Sequence, residues 1–125
     1  MAKRKVTNLT DVSEITCVVQ KGMADEIVQS LLDAGIQGAT VHSGVGTGIR
    51  ERMGLLGVAG EVEREIVQVL VSKDQGDRIC ERMYLAGRLD TPGMGYIYAA
   101  PLVQAATYIP AHLLEDKDSL SSLGV

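Results

Sequence analysis

Two short glycine runs are the residues of this sequence best suited to bind an anion. The first occupies residues 44–48, where every second residue is glycine, and the second is Gly-Met-Gly at residues 93–95. Because glycine has no side chain, a glycine loop lets several backbone N–H groups approach one phosphate or carboxylate. Neither run has the GxGxxG spacing of a dinucleotide site. The runs therefore predict two loops, with ligand contact as one interpretation and a purely structural turn as the other.

Four arginines near these runs are candidate anion ligands, since a guanidinium pairs well with phosphate and carboxylate. They are Arg50, Arg52, Arg64 and Arg88. Taken singly, each is better explained as a solvated surface residue, so the sequence supplies cations without assigning them.

No set of side chains has the types and spacing of a catalytic or metal centre. Glu61, Glu63 and Glu65 alternate along a predicted strand, and a solvated acidic face explains them better than acid–base catalysis. His42 and His112 are far apart and lack the neighbouring ligands of a metal site. We therefore expect neither an enzyme nor a metal centre.

Composition excludes several other classes of protein. The 125 residues suffice for one domain, and 46% hydrophobic residues are enough for a core. A net charge of −4 argues against a nucleic-acid surface, and the basic cluster at residues 3–5 lies in a polar tail. No apolar run has the roughly 18–20 residues of a membrane span, and no signal-peptide core follows the start. We expect a cytoplasmic protein in which Cys17 and Cys80 are isolated, buried thiols.

Hydrophobic periodicity indicates the elements that must position these residues. Period-two and β-branched segments predict strands, and apolar residues at helical spacing predict helices. The predicted order is strand 15–19, helix 23–34, strand 39–43, strand 65–72, helix 77–86 and strand 96–100. Residues 20–35 resemble residues 72–87, so the strand-helix-strand unit is repeated.

This doubled unit predicts an α+β domain of the ferredoxin-like class, a four-stranded antiparallel sheet with two helices on one face. The other face should carry mainly Val, Leu and Ile, and such a patch usually marks an interface, so we expect a homo-oligomer in a closed ring. The domain is placed at residues 14–110, between a polar N-terminal tail (1–13) and a C-terminal tail (111–125).

Three stretches resemble the PII signal-transduction family of trimeric regulators, over about two-thirds of the chain. They are "LLDAGIQGATVHSGVGTG" (31–48), "EREIVQVLVSKD" (63–74) and "LAGRLDTPGMGYIYA" (85–99). The resemblance implies a homotrimer of the fold described above. It also implies a T-loop at about 49–63, shorter than is typical, and a B-loop at about 87–95.

In that family an adenine nucleotide binds between the T-loop base and the B-loop of adjacent subunits. When the family's binding residues are carried over to the matching motifs, the resemblance implies ligand contacts around both glycine runs. These residues are Thr40, Gly46, Thr47, Gly48, Arg50, Arg64, Leu70, Arg88, Gly93, Met94 and Gly95.

The chain departs from the family where cations bind the triphosphate. Tyr96 stands at the position of the family's lysine, and Thr107 and Ile109 fall near its two arginines. Charge-assisted hydrogen bonds contribute about 1.5–3 kcal/mol each, so ADP or AMP is favoured over ATP.

The expected function is a non-enzymatic signalling protein that binds this effector and regulates a target protein, such as a transporter or metabolic enzyme, through its short T-loop. Leu55, Leu56 and Val58 in that loop are candidates for docking into the target. The alternative is a structural or metal-tolerance trimer like the CutA proteins, which share the fold without a nucleotide role.

Overall fold

The computed structural model describes residues 6–47 and 61–108. In these ranges the chain forms six strands and two α-helices, and a short 3₁₀ turn, Lys73–Gln75, precedes the second helix. The elements are β1 (Asn8–Leu9), β2 (Val12–Gln20), α1 (Ala24–Asp33), β3 (Thr40–Thr47), β4 (Glu61–Ser72), α2 (Gly76–Ala86), β5 (Gly95–Pro101) and β6 (Ala105–Ala106).

The four long strands form one sheet in the order β3-β4-β2-β5, and every neighbouring pair is antiparallel. The central strands β2 and β4 are the first strands of the two strand-helix-strand repeats, and the second strands, β3 and β5, form the edges of the sheet. The predicted ferredoxin-like α+β fold is confirmed.

The core lies between this sheet and the two helices. Alternate residues of the central strands point toward the helices, because successive side chains of a strand face opposite sides. Each helix contributes one apolar stripe at three- and four-residue spacing. The buried residues of this layer are Ile15, Cys17, Val19, Ala24, Ile27, Leu31, Ile36, Val67, Val69, Val71, Ile79 and Met83.

A residue of β4 stabilises the start of α1. The helix follows Met23, whose side chain forms no capping hydrogen bond. Instead, Glu65 Oε1 accepts hydrogen bonds from the backbone N–H groups of Gly22 and Ala24, the latter at 3.2 Å. A carboxylate at this position also complements the positive end of the helix dipole. The sheet thereby fixes where α1 begins.

The opposite side of the sheet, called the open face below, is covered by neither helix. Its residues follow from the strand register and are more polar than predicted. They are Glu14, Thr16, Val18, Gln20, Thr40, His42, Gly44, Gly46, Val62, Arg64, Ile66, Gln68, Leu70, Tyr96, Tyr98 and Ala100. The expectation of a mainly Val, Leu and Ile face was wrong, because most valines of β2 and β4 point into the core.

A second, two-stranded sheet lies outside this layer. β1 pairs with β6, Asn8 with Ala106 and Leu9 with Ala105. The backbone of Leu102 also donates to Val12 O at 3.0 Å. The segment predicted as a tail, 1–13, therefore includes paired strand residues. Sequence periodicity did not reveal β1, because a strand of two residues in a polar segment is too short to show it.

Neither helix in the described ranges has the length and apolar character needed to cross a membrane. Within the same ranges, no group of three or more His, Cys, Asp and Glu side chains is placed to hold a metal ion.

Candidate functional site

The first glycine run belongs to a strand, not a loop, as far as it lies in the described residues. Gly44 and Gly46 are in β3, opposite Arg64 and Val62 of β4. An added Cβ at Gly44 would lie 3.1 Å from Ile66 Cδ1, so this glycine leaves room for the isoleucine on the open face. The predicted loop was wrong here because an adjacent strand supplies backbone hydrogen bonds that composition does not reveal.

β3 and β4 also shift the predicted loop boundaries. Thr47 ends β3, and β4 begins at Glu61, so the last three residues of the predicted T-loop, 61–63, are strand. Gly48, Arg50 and the remainder of the predicted loop lie outside the described residues. Their predicted ligand contacts stay predictions.

The second glycine run is a loop whose backbone is constrained. Gly93 and Gly95 have φ angles of +85° and +136°, in the region that favours glycine. A Cβ at Gly95 would overlap the carbonyl oxygen of Val18, because β5 begins directly against β2. The N–H of Met94 already donates to Thr91 O at 3.3 Å. Close packing therefore explains Gly95 by itself, and ligand contact at this run remains a prediction.

Thr40 and Leu70, both predicted on the adenosine side, line one groove of the open face. The groove has a volume of about 460 Å³, and its lining residues come from β2, β4, the first residue of β3 and the segment before it. They are Glu14, Gly38, Ala39, Thr40, Gln68, Val69 and Leu70. Thr40 lies opposite Gln68, and Leu70 lies opposite Glu14, so pairing within the sheet fixes the arrangement. This surface is called the groove below.

Arg64 lies at the other end of the open face. It is four residues from Gln68 along β4, which is about 13 Å in a strand. It lines a smaller pocket of about 200 Å³ together with Lys21, Ser43, Gly44, Val45 and Glu63. Arg64 Nη1 is buried and has no hydrogen-bond partner among the described residues. A buried donor without a partner is costly, so an anion that accepted its hydrogen bond would be stabilised.

The other cation of this pocket is already paired. Lys21 Nζ lies 2.9 Å from Glu63 Oε2, and both side chains are mostly exposed. The hydrogen bond and negative charge of Glu63 raise the pKa of Lys21. Arg64 is consequently the pocket's better candidate for binding an anion.

The two predicted halves of the site lie at opposite edges of the sheet. β3 forms one edge, and the loop with Gly93 and Gly95 leads into β5 at the other. Three strand spacings of roughly 4.8 Å separate these edges, about 14 Å in all. The loop is joined to central strand β2 by Gln20, whose Nε2 donates to Gly93 O at 3.0 Å. The groove is separated from this loop along the strands, because Glu14 pairs with Ala100, about 17 Å along β5 from Gly95. One chain therefore does not bring the groove and the second glycine run into a single cleft.

The described residues near the second run supply little positive charge. Arg88 is exposed and has a φ of +56°. Tyr96, predicted to stand at the family's lysine position, is 59% exposed, and its ring stacks on Tyr98 with centroids 6.4 Å apart. Thr107 is exposed, and Ile109 lies outside the described residues.

Sequence reasoning missed Glu14, Gln20 and Gln68. These polar residues occupy alternate positions of strands that otherwise look apolar, so they fall on the open face once the register is known. The period-two pattern around Glu14 and Thr16 was the available signal.

The cysteines are not candidate nucleophiles. Cys17 is fully buried in the core, and burial, with a smaller contribution from Cys80, raises its pKa from 9.0 to about 11. Burial also raises the pKa of Cys80 on α2. Since the thiolate is the reactive form, both thiols are less reactive at neutral pH than an ordinary cysteine. The expectation of a buried thiol holds for Cys17, whereas Cys80 is partly exposed at the edge of the core.

Comparison with known proteins gives a family. The sequence model of the nitrogen regulatory protein P-II family matches residues 12–110. Among solved structures, the chain is similar to the crystal structure of Arabidopsis thaliana PII bound to citrate, with a TM-score of 0.61 and 22% sequence identity. The similarity covers 74% of this chain and 78% of that chain. No curated protein sequence matches this chain.

The likeness at 22% identity shows a shared fold, and the family match spans most of the chain. It includes both central strands, both helices and the second glycine run. The resemblance identified from the three sequence motifs is confirmed, and this chain belongs to the P-II nitrogen regulatory protein family.

Proposed function

We propose that this chain is a signalling protein that binds an adenine nucleotide in clefts between the subunits of a homotrimer. One observation carries the proposal: within one chain the groove approaches β5 at Ala100, the partner of Glu14, which is about 17 Å along that strand from the loop with Gly93 and Gly95. A ligand that uses both halves needs two copies of the chain.

A closed ring provides such clefts. In a head-to-tail ring, one edge of a subunit meets the opposite edge of its neighbour, so each cleft combines different surfaces of two identical chains. Tyr96 and Tyr98 of edge strand β5 are exposed and available for this contact. P-II proteins are trimers that bind small effectors, which favours a ring of three and a signalling role over a CutA-like structural trimer.

The distribution of charge favours a nucleotide with few phosphates. The groove lining contains no Lys, Arg or His, so it suits a base and ribose better than a phosphate. Arg64 lies opposite Gly44 of the first run, and Arg88 is five residues before Gly93, whereas Lys21 is paired with Glu63. Tyr96 and Thr107 contribute no positive charge. Each missing charge-assisted hydrogen bond removes about 1.5–3 kcal/mol of binding free energy, and ATP has the most phosphate charge to neutralise. We therefore expect this chain to bind ADP or AMP more tightly than ATP.

The signal reaches the partner through the segment between β3 and β4. Ligand contacts at the ends of these strands, with Arg64 opposite Gly44, adjoin residues 48–60. A ligand shifts the conformational equilibrium of that segment only if it binds one conformation more tightly than the other. The partner, such as a transporter or metabolic enzyme, then binds one of those states, with Leu55, Leu56 and Val58 as candidate contacts.

Isothermal titration of the wild-type protein with AMP, ADP and ATP tests the proposal, together with the mass in solution. We expect a trimer, and ADP or AMP binding that Arg64→Ala weakens about 10- to 100-fold, the equivalent of about 1.5–3 kcal/mol. The matched control is Arg78→Ala on the exposed side of α2, which should leave affinity unchanged.

Citrate belongs in the same titration, because the similar Arabidopsis protein was crystallised with it. Binding of citrate alone would overturn the nucleotide assignment, and its loss in Arg64→Ala would retain an anion site at Arg64. The absence of binding by all three nucleotides would overturn it as well.

A further inference from the structure

The groove contains a carboxylate that the proposed function does not yet use. Among its lining residues, Glu14 is the one charged side chain, and Thr40 and Gln68 are the other polar side chains. The remaining lining is glycine and apolar residues. A nucleotide part placed here would meet an acidic group, with no cation in the lining to offset it.

The sheet holds these polar side chains in fixed positions. Glu14 lies opposite Leu70, and Gln68 lies opposite Thr40 on one side and Thr16 on the other. The three polar residues thus occupy two neighbouring rows of one sheet face. Since β2 and β4 are the central strands, Glu14 and Gln68 lie on the most extensively paired part of the fold.

Glu14 retains acceptor capacity. Its described hydrogen bond is from Thr16 Oγ1 to Oε1 at 3.4 Å, which is long for an O–H donor. Within the described ranges it has no ion pair, and its side chain is half-buried. A carboxylate has about four lone-pair positions, so most of them remain for groups that enter the groove.

The chemistry of this pair of side chains favours a base with an exposed amino group. A carboxylate only accepts hydrogen bonds, so it attracts N–H groups and repels phosphate and carbonyl oxygens. A glutamine amide both donates and accepts, which matches the alternating amino group and ring nitrogens at the edge of adenine. Orienting the base inward also directs the phosphates away from Glu14.

We propose that Glu14 is a specificity-determining residue that accepts a hydrogen bond from the exocyclic amino group of adenine, with Gln68 contacting the adjacent ring nitrogen. This proposal rests on the nucleotide-binding function proposed above and adds the feature by which the base is selected. Hypoxanthine carries a carbonyl oxygen in place of the amino group, so the wild-type groove discriminates against inosine nucleotides.

Titration of ADP and IDP into wild-type protein and Glu14→Gln tests this assignment. Wild type should bind ADP at least about tenfold more tightly than IDP. The glutamine amide can donate to the carbonyl oxygen of hypoxanthine, so the ADP-to-IDP ratio of affinities should fall to about one in Glu14→Gln. Glu81→Gln, the same substitution at an exposed position of α2, should keep the wild-type ratio.

Three other outcomes overturn the assignment and differ in meaning. An unchanged ratio in Glu14→Gln, with ADP still bound, refutes the role of Glu14 and leaves the proposed function intact. Equal weakening of ADP and IDP places Glu14 on the ribose or on the general packing of the groove. No binding of either nucleotide by the wild-type protein refutes the proposed function itself. Thermal unfolding of each variant at one protein concentration verifies that it is folded.

Discussion

The two glycine runs have similar composition but different backbones. Gly44 and Gly46 lie in edge strand β3 and pair with β4, whereas Gly93 and Gly95 have positive φ angles at the entry to β5. At the first run glycine makes room for neighbouring side chains. At the second it is required by the backbone, since a side chain at Gly95 would overlap Val18. A glycine run therefore indicates a positive-φ backbone only where the neighbouring atoms leave no space for a side chain.

The largest expected effect distinguishes the two runs directly. Gly95→Ala should lower the free energy of unfolding by about 3 kcal/mol or more, because it combines a positive φ with overlap of the Val18 carbonyl. Urea unfolding followed by circular dichroism, at one protein concentration, measures the change.

Gly46→Ala is the matched substitution at the first run. Its Cβ would lie 3.6 Å from Arg64 Cγ, an ordinary contact, and alanine suits a strand better than glycine. Stability should therefore stay the same or rise by about 0.5 kcal/mol. Equal destabilisation by the two alanines would contradict the distinction between the runs.

A second substitution tests the connection between β4 and α1, near the first run. Glu65→Ala removes the acceptor for the N–H groups of Gly22 and Ala24 and should cost about 1–2 kcal/mol, like the loss of a helix cap. Glu63→Ala, which breaks only the exposed pair with Lys21, should leave the urea midpoint unchanged. If Glu63→Ala were the more damaging, the exposed ion pair would be the important contact.

The pH dependence of stability tests the core beneath both runs. The folded-state pKa of Cys17 is raised to about 11, above its ordinary 9.0. Below pH 9 the thiol is protonated in both the folded and the unfolded state, so its contribution to the free energy of unfolding is complete. Between pH 9 and 11 the unfolded state releases its proton while the folded state keeps it, so that contribution is lost as pH rises. Urea midpoints from pH 8 to 11 under reducing conditions should fall less in Cys17→Ala than in wild type. Parallel curves would contradict this contribution.

The smallest expected effect concerns the attachment of the second run. Gln20→Ala removes the exposed hydrogen bond to Gly93 O and should cost about 0.5–1 kcal/mol. Gln29→Ala, which loses an exposed bond to Asp33 on α1, provides a comparable substitution away from the loop. Hydrogen exchange of the loop amides should accelerate only in Gln20→Ala, and equal acceleration in the two variants would show that Gln20 does not hold the loop.

The sequence predicted most of the main layer because its signals are local. The apolar stripe of Ile27 and Leu31 and the β-branched run of Val67, Val69 and Val71 each depend on a few neighbouring residues. The repeat of the strand-helix-strand unit then limited the topology. By contrast, β1 and β6 have two residues each, which is too short for any periodicity.

The site was less predictable because it depends on which strands become neighbours. Thr40 and Leu70 were inferred from family motifs, and the register alone brings Glu14 and Gln68 beside them. The strand conformation of Gly44 likewise depends on its pairing with Arg64. Such pairings join residues far apart in the sequence, and no window of the sequence contains both partners.

The central claim is that each nucleotide cleft combines the groove of one subunit with the second glycine run of another. Subunit mixing tests it directly with Leu70→Glu, which places a charge in the groove, and Arg88→Glu, which reverses a charge beside the second run. Each variant alone should fail to bind ADP in isothermal titration. Co-assembled at equal amounts, they should regain binding in about a quarter of clefts, since random pairing in a ring gives some clefts two wild-type halves. No recovery in verified mixed trimers would contradict the claim and place the whole site within one chain.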